Sequence, residues 1–145
     1  MNDDPIRQAA AILRDKQHIA VLTGAGVSKE SGVPTFRDEM TGLWARYRPE
    51  ELATPEAFRR DPALVWNWYR ERRCHVAAVA PNAAHFALAR LQAMLPDTLL
   101  VTQNVDGLHQ RAGSIGVVEF HGNLFRNRCR ECGHETLHDV HRADE

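Results

Sequence analysis

The sequence has few cysteines and no long hydrophobic run, and each shortage excludes a class of protein. Three of its 145 residues are cysteine, an odd number without framework spacing, which argues against a secreted scaffold held by disulfides. No apolar run reaches the roughly 18 to 20 residues of a membrane-spanning helix. The opening MNDDPIRQAA lacks the basic and then apolar pattern of a signal peptide. We therefore expect a cytoplasmic protein with no membrane partner.

The sequence also has almost no net charge, which removes the electrostatic argument for a nucleic-acid partner. The sequence contains 18 basic and 19 acidic residues, which gives a formal net charge of −1. Nucleic-acid-binding proteins usually carry an excess of basic residues. The hydrophobic fraction of 43% and the charged fraction of 26% are ordinary for a globular protein. The length suits one domain with its own core.

Four helix starts are marked by polar cap residues, three of them followed by proline in the first turn. The caps are Asp3 or Asp4, Thr54, Asp61 and Asn82. Between these helices, HIAVLT, TLLVT and VVEF are short apolar segments typical of buried strands, and VVEF ends at His121. Strands that alternate with helices predict an α/β fold, a parallel sheet with helices on both faces. QNVDGLHQRAG is predicted to be a polar loop.

The first predicted strand runs directly into the glycine-rich segment GAGVSKESG. Glycines there let the backbone approach a ligand, and N–H groups at a helix start favour an anion. Gly24, Ala25 and Gly26, with Ser28 close by, therefore suit the pyrophosphate of a dinucleotide, although a plain tight turn has the same pattern. A nucleotide-dependent oxidoreductase is disfavoured, because Lys29 replaces the third glycine of the dehydrogenase fingerprint and no acidic residue follows at the ribose position.

The segment PTFRD follows in a stretch dense with glycine and serine. Phe36 and Arg37 suit a lid over a cofactor, in which Phe36 shields a reactive carbon from water and Arg37 lies near phosphate. An ordinary surface loop with Phe36 tucked into the core is the alternative.

Three motifs in order, GAGVSKESGVPTFRD, TQNVDGLHQRAG and FHGN, resemble the signature of the sirtuins, the NAD-dependent protein lysine deacylases. The resemblance extends from about residue 19 to residue 133. It implies a Rossmann-like sheet with flanking helices, and NAD as the cofactor whose nicotinamide–ribose bond is cleaved. The implied reaction removes acyl groups from protein lysines and gives nicotinamide, O-acyl-ADP-ribose and free lysine.

The resemblance also implies roles for residues that are ambiguous alone. Gln103, Asn104 and Asp106 would line the ribose and nicotinamide pocket, with the aspartate recognising the carboxamide, although Asn-x-Asp-Gly by itself fits an ordinary turn. His121 would accept a proton from a ribose hydroxyl after the acyl oxygen has attacked the ribose carbon. A neutral imidazole near pH 7 suits that task, whereas a lone histidine at a strand end is more often structural.

Tyr69 and Arg72 lie three residues apart on a predicted helix and so share a face. They resemble the Tyr-x-x-Arg of sirtuins that remove succinyl and malonyl groups, since arginine can hold a carboxylate with two hydrogen bonds. The alternative is a solvated basic face that includes Arg70 and Arg73. Acetyl removal stays open beside succinyl removal.

Cys129 and Cys132 resemble the first pair of the family's structural four-cysteine zinc site, whose second pair would lie further along. His134, His138 and His141 match no standard zinc spacing. A redox pair is disfavoured because the motif does not open a helix, and Cys74 is expected to be buried.

The chain thus resembles a C-terminally truncated sirtuin. Residues 1–128 would form the NAD-binding Rossmann-type catalytic domain, with a helical insertion at about 40–80, and residues 129–145 the start of an incomplete zinc-ribbon module. The alternative function is an inactive fragment that binds NAD or acyl-lysine.

Overall fold

The computed structural model describes residues 4–33 and 47–137. Phe36 and Arg37 of the predicted lid lie outside the described residues, as do His138 and His141. Every helix within the described residues is too short or too polar to span a bilayer.

Six α-helices and two 3-10 turns occur in the described residues. The helices are α1 (Pro5–Arg14), α2 (Ala25–Ser28), α3 (Pro55–Arg60), α4 (Pro62–Ala78), α5 (Ala83–Met94) and α6 (Leu108–Arg111), and the 3-10 turns are Lys29–Ser31 and Pro49–Glu51. The predicted caps are confirmed, because Asp4, Thr54, Asp61 and Asn82 each accept a backbone N–H from the first turn that follows.

The prediction of a polar loop over QNVDGLHQRAG is wrong in part, because Leu108–Arg111 form helix α6. Gly107 adopts a left-handed φ of 69° immediately before the helix, a conformation that favours glycine. Asp106 Oδ1 then accepts the N–H of Leu108 at 2.9 Å. A single turn is too short to show helical periodicity, so this local turn chemistry was the only signal available in the sequence.

The main sheet has three parallel strands, β1 (Ile19–Thr23), β2 (Thr98–Thr102) and β3 (Val118–Glu119), in the order β1-β2-β3. Strands β1 and β2 pair along five residues, from Ile19 opposite Thr98 to Thr23 opposite Thr102. Strand β3 is shorter than VVEF predicted, and only the Phe120 N–H, 2.9 Å from Thr102 O, continues the pairing. The predicted α/β fold with a parallel sheet is confirmed.

Helices cover one face of this sheet but not the other. Leu100 is buried on the covered face, whereas on the opposite face Leu22 and Phe120 are each 70% exposed and Leu99 and Val118 are exposed too. In the described residues this second face of the sheet is thus exposed. Helix α1 buries none of its residues.

A second, two-stranded sheet follows, in which β4 (Arg126–Arg128) and β5 (Glu135–Leu137) are antiparallel. The helical segment between the strands of the main sheet has its own apolar core of Leu52 and Trp68. Tyr69 packs against that core and contacts the Trp68 ring edge-on, with 4.7 Å between centroids. Helix α4 is therefore anchored by aromatic packing.

Two buried histidines lie beneath the carboxyl edge of the main sheet. His109 Nε2 is 2.9 Å from the Thr23 hydroxyl, and its ring centroid is 4.9 Å from that of His85. Burial is the main cause that lowers the pKa of both imidazoles, and the neighbouring His85 lowers that of His109 further, while the Asp106 carboxylate opposes both shifts. Both rings are therefore held neutral at pH 7.

We expect the cap of α4 to support global stability more than the cap of α1. Asp61→Ala removes the bond to the Leu64 N–H, 2.9 Å long, and should lower the free energy of unfolding by about 1 kcal/mol. Asp4→Ala removes the equivalent 3.0 Å bond of α1, but α1 buries no residue, so its fraying should leave global unfolding nearly unchanged. Urea unfolding followed by tryptophan fluorescence measures both, and equal losses would contradict the ranking.

The buried histidines predict a loss of stability in mild acid. Their folded pKa values lie below the ordinary 6.5, so between the two values the unfolded chain binds more protons. Stability should be complete above pH 6.5 and should fall as the pH drops through this window. Urea unfolding at a series of pH values should give a shallower fall for His109→Asn. The exposed His134→Asn is the matched control, and an unchanged slope in His109→Asn would refute the assignment.

Candidate functional site

The carboxyl ends of the three parallel strands bring the predicted motifs to one edge of the sheet, where ligands of such sheets bind. The Gln103 N–H donates to Thr23 O at 3.0 Å, which joins the ends of β1 and β2. A Cβ added at Gly24 would lie 3.8 Å from Gln103 Oε1, and one added at Gly26 would meet no atom within 4 Å. The glycine turn therefore lies beside the Gln103 loop, with open space at Gly26.

A buried hydrogen-bond network centred on Ser28 connects these loops. Ser28 is 1% exposed and Asp106 is 4% exposed. The Ser28 hydroxyl donates to Asp106 Oδ2 at 2.7 Å and accepts from Asn104 Nδ2 at 2.9 Å. These three predicted residues, from two distant stretches of sequence, thus form one polar unit with fixed orientations.

His85 completes this network and was missed by the sequence reasoning. The Asn82 N–H donates to His85 Nδ1 at 3.2 Å, which leaves the proton of the neutral ring on Nε2, 3.3 Å from the Ser28 hydroxyl. Asn82 Nδ2 also donates to Val27 O at 2.7 Å. The Asn-x-x-His spacing of this capping box was a local signal in the sequence, but its contact with Ser28, 57 residues away, was not.

The motifs around Asp106 and His121 contact each other directly. The Leu124 N–H donates to Val105 O at 2.9 Å. A Cβ added at Gly107 would lie 3.5 Å from Asn123 Nδ2, and its φ of 69° already favours glycine. The two turns therefore pack closely at the carboxyl edge.

A cleft of about 1310 Å³ opens at this edge and reaches helix α4 and the second sheet. Most of the predicted site residues line it, namely Ala25, Ser28, Tyr69, Arg72, Gln103, Asn104, Asp106, His121, Cys129 and Cys132. Gly24 and Gly26 are not among the lining residues. The cleft is large enough for a dinucleotide-sized ligand together with a side chain of a second substrate.

His121 is exposed at this cleft, directly after the third strand. Its ring contacts the Phe120 ring edge-on, with 5.0 Å between centroids. An exposed imidazole on a fixed turn can exchange a proton with a bound molecule, which a buried structural histidine cannot do.

Helix α4 presents Tyr69 and Arg72 to the same cleft. The Arg72 guanidinium carbon lies 4.7 Å from the Trp68 ring centroid and 5.9 Å from that of Tyr69. The alternative of one solvated basic face does not hold, because Arg70 is exposed, Arg72 is half-buried and Arg73 is only 3% exposed. Arg72 therefore lies where a side chain in the cleft could reach it.

Cys129 and Cys132 lie in the turn between β4 and β5. The Cys129 N–H donates to His134 O at 2.8 Å, and the Gly133 N–H donates to Cys129 O at 3.0 Å. Backbone N–H groups of Cys132, and then of Glu131, lower the pKa of the Cys129 thiol, which favours the thiolate that zinc binds. No cluster of three metal-ligating side chains occurs within residues 4–33 and 47–137.

Cys74 corrects another expectation, because it is exposed and not buried. It lies on α4 beside the buried Arg73, and helical periodicity turns the two side chains in different directions. The tendency of cysteine to be buried therefore did not predict the exposure of Cys74.

The chain is similar to proteins named as NAD-dependent deacylases. It is 60% identical over 129 residues to an NAD-dependent protein deacylase of Ralstonia nicotianae, covering 86% of this chain and 52% of the relative. It is 58% identical over 124 residues to NAD-dependent protein deacylase 2 of Pyrobaculum aerophilum, covering 86% and 49%. The chain thus spans about half the length of the curated relatives it matches.

Solved structures of Sir2 homologues have the same fold. A Sir2 homologue in complex with NAD superposes with a TM-score of 0.83 at 47% identity, covering 90% of this chain and 51% of that one. A Sir2 protein bound to an acetylated peptide gives a TM-score of 0.76 at 29% identity, covering 91% and 51%. The model of the Sir2 family matches residues 24–145. The chain therefore belongs to the Sir2 family, the sirtuins.

Proposed function

We propose that this chain carries the cofactor-binding and catalytic residues of an NAD-dependent protein lysine deacylase. The observation that carries the proposal is the cleft that joins the Ser28–Asn104–Asp106 network to the exposed imidazole of His121. The relatives named as deacylases and the Sir2 homologue that binds NAD support it. Acylated lysine side chains of proteins are the proposed partners, and a cytoplasmic location stays a prediction.

The buried polar network is the proposed recognition site for the nicotinamide amide. Asp106 and Asn104 are oriented by Ser28, so their remaining donors and acceptors are fixed in direction before a ligand arrives. Gly24, Ala25 and Gly26 are proposed to bind the pyrophosphate, with Gln103 near the ribose. Phe36 and Arg37 keep their proposed role in the cofactor loop. NAD supplies the reactive ribose carbon.

His121 is the proposed general base. It follows β3 at the cleft, on the same strand edge as the network. A neutral imidazole there can accept a proton from a ribose hydroxyl, so that the hydroxyl oxygen becomes the nucleophile.

His121→Ala should abolish deacylation while NAD binding survives. Because His121 acts after nicotinamide has left, loss of this base should reduce the formation of free lysine and O-acyl-ADP-ribose from NAD and acyl-lysine peptide by roughly a hundredfold to ten-thousandfold. Calorimetry should give an NAD affinity close to wild type, because the Ser28 network is intact. Retained turnover would refute the role of His121.

Assays of the wild-type protein separate the deacylase from the two alternative functions. An inactive binding module would bind NAD and peptide in the wild-type protein without releasing nicotinamide. An oxidoreductase would produce the absorbance of NADH, which a deacylase does not.

Tyr69 and Arg72 are proposed to select acidic acyl groups such as succinyl and malonyl. Both side chains line the cleft, and the Arg72 guanidinium lies against aromatic rings that restrict its position. A positioned guanidinium can hold a carboxylate with two hydrogen bonds, and the phenol can add a third. Acetyl-lysine lacks that carboxylate and would gain nothing from Arg72.

Arg72→Met should therefore reduce the preference for succinyl-lysine over acetyl-lysine. The ratio of the two kcat/KM values should fall by roughly tenfold to a hundredfold, as expected for lost hydrogen bonds between charged groups. Arg70→Met is the matched control, since Arg70 is exposed on the same helix and does not line the cleft. An equal ratio in wild type and Arg72→Met would refute the proposal.

Cys129 and Cys132 are proposed as two ligands of a structural zinc site. Their turn and the lowered thiol pKa of Cys129 suit a tetrahedral metal that takes thiolates. The other ligands are proposed to come from a second Cys-x-x-Cys further along a longer protein. The division into residues 1–128 and 129–145 stays a prediction, and β4, the first strand of the second sheet, begins at Arg126.

A further inference from the structure

Glu119 ends the third strand, two residues before His121, and its side chain is 9% exposed. Its Oε1 accepts from Gln110 Nε2 at 2.8 Å and from Asn123 Nδ2 at 2.5 Å. Its Oε2 accepts from the Arg126 guanidinium. One carboxylate thus accepts three side-chain donors, and a carboxylate is suited to this because it carries only acceptor sites.

The three donors come from three different segments. Gln110 belongs to α6, the turn of helix after Asp106, Asn123 belongs to the turn that carries His121, and Arg126 begins β4. The carboxylate therefore joins helix α6, the turn that carries His121 and the hairpin that carries the two cysteines to the end of β3. Bonds to an ionised acceptor are shorter and stronger than neutral ones, which suits a rigid junction.

The position of His121 depends on this turn. The Gly122 N–H donates to Glu119 O at 3.2 Å, and Gly122 has a φ of 80°. Asn123 Oδ1 accepts the Phe125 N–H at 2.9 Å while its Nδ2 binds Glu119. Glu119 thus bonds to the far end of the segment 119–123 in two ways. Its backbone carbonyl oxygen accepts from the Gly122 N–H, and its carboxylate accepts from the Asn123 side chain. The imidazole of His121 projects from the middle of this segment into the cleft.

We propose that Glu119 is a positioning residue for His121. It is not among the residues that line the cleft, so it acts by fixing the turn and not by touching substrate. This inference rests on the proposed deacylase function. A 1 Å displacement of a catalytic group can reduce turnover by about a hundredfold, so release of this turn should lower kcat more than it weakens NAD binding.

Glu119→Gln tests the proposal with almost no change of shape. The amide places an N–H donor against side chains that are themselves donors, so at least one of the three bonds is lost. We expect kcat for formation of free lysine to fall by about tenfold to a hundredfold, with the NAD dissociation constant within about threefold of wild type. The order parameter of the His121 backbone amide, measured by NMR relaxation, should fall toward the flexible range.

Glu56→Gln is the matched control. It removes one carboxylate charge and the 2.8 Å ion pair with Arg59 on helix α3. Glu56 does not line the cleft, so the change should leave kcat and the His121 order parameter unchanged. In the His121→Ala background, Glu119→Gln should cause no further loss of turnover, because a residue that acts through His121 has nothing left to position.

The outcomes separate failure of this inference from failure of the proposed function. If wild type releases no nicotinamide, the proposed function fails, and the His121 order parameter alone decides the positioning role. If wild type is active and folded Glu119→Gln matches it in kcat, the inference is overturned. A loss of thermal stability with an unchanged His121 order parameter overturns it too. If Glu119→Gln does not fold, Asn123→Ala, which removes one of the three donors, is judged by the same measurements.

Discussion

The hydrogen bond from the Ser28 hydroxyl to the Asp106 carboxylate is the contact on which the rest of the site depends. It joins the loop after β1 to the loop after β2 at 2.7 Å, and both residues are buried. Two buried polar groups separated by 78 positions in sequence are costly unless they satisfy each other. The bond therefore fixes the relative position of the two loops, and with it the position of Asn104 and His85 around the serine.

Buried histidines extend this constraint to the strand ends. His109 holds the Thr23 hydroxyl at 2.9 Å, at the residue before the glycine turn. Its ring also lies against His85, which contacts Ser28. Because burial keeps both rings neutral, they can bond with hydroxyl groups without placing positive charge beside the proposed nicotinamide pocket. The glycine turn after β1 and the proposed amide site thus share one polar support.

The features that could be predicted from the sequence are those decided by neighbouring residues. Caps such as Asp61 and Asn82 act within one turn, so their helices begin where expected. Local patterns did not predict that Leu22, Phe120 and Cys74 are exposed. Their exposure depends on which elements pack against each other, and neighbouring residues in the sequence do not determine this packing. The site motifs were recognisable as sequence, whereas the contacts of His85 and Glu119 cross tens of residues or several segments and needed coordinates.

The proposed acyl-selecting residues and the proposed catalytic residues belong to separate elements that are joined at a few points. Tyr69 and Arg72 belong to α4, whose packing centres on Trp68, while the polar network belongs to the strand ends. Arg111 joins the two, because its guanidinium donates to Val76 O at 3.2 Å and Val79 O at 2.6 Å at the end of α4. Substitutions on the cleft face of α4 should therefore leave the bond between Ser28 and Asp106 intact. The proposed acyl site can therefore vary among proteins that keep the same proposed cofactor site.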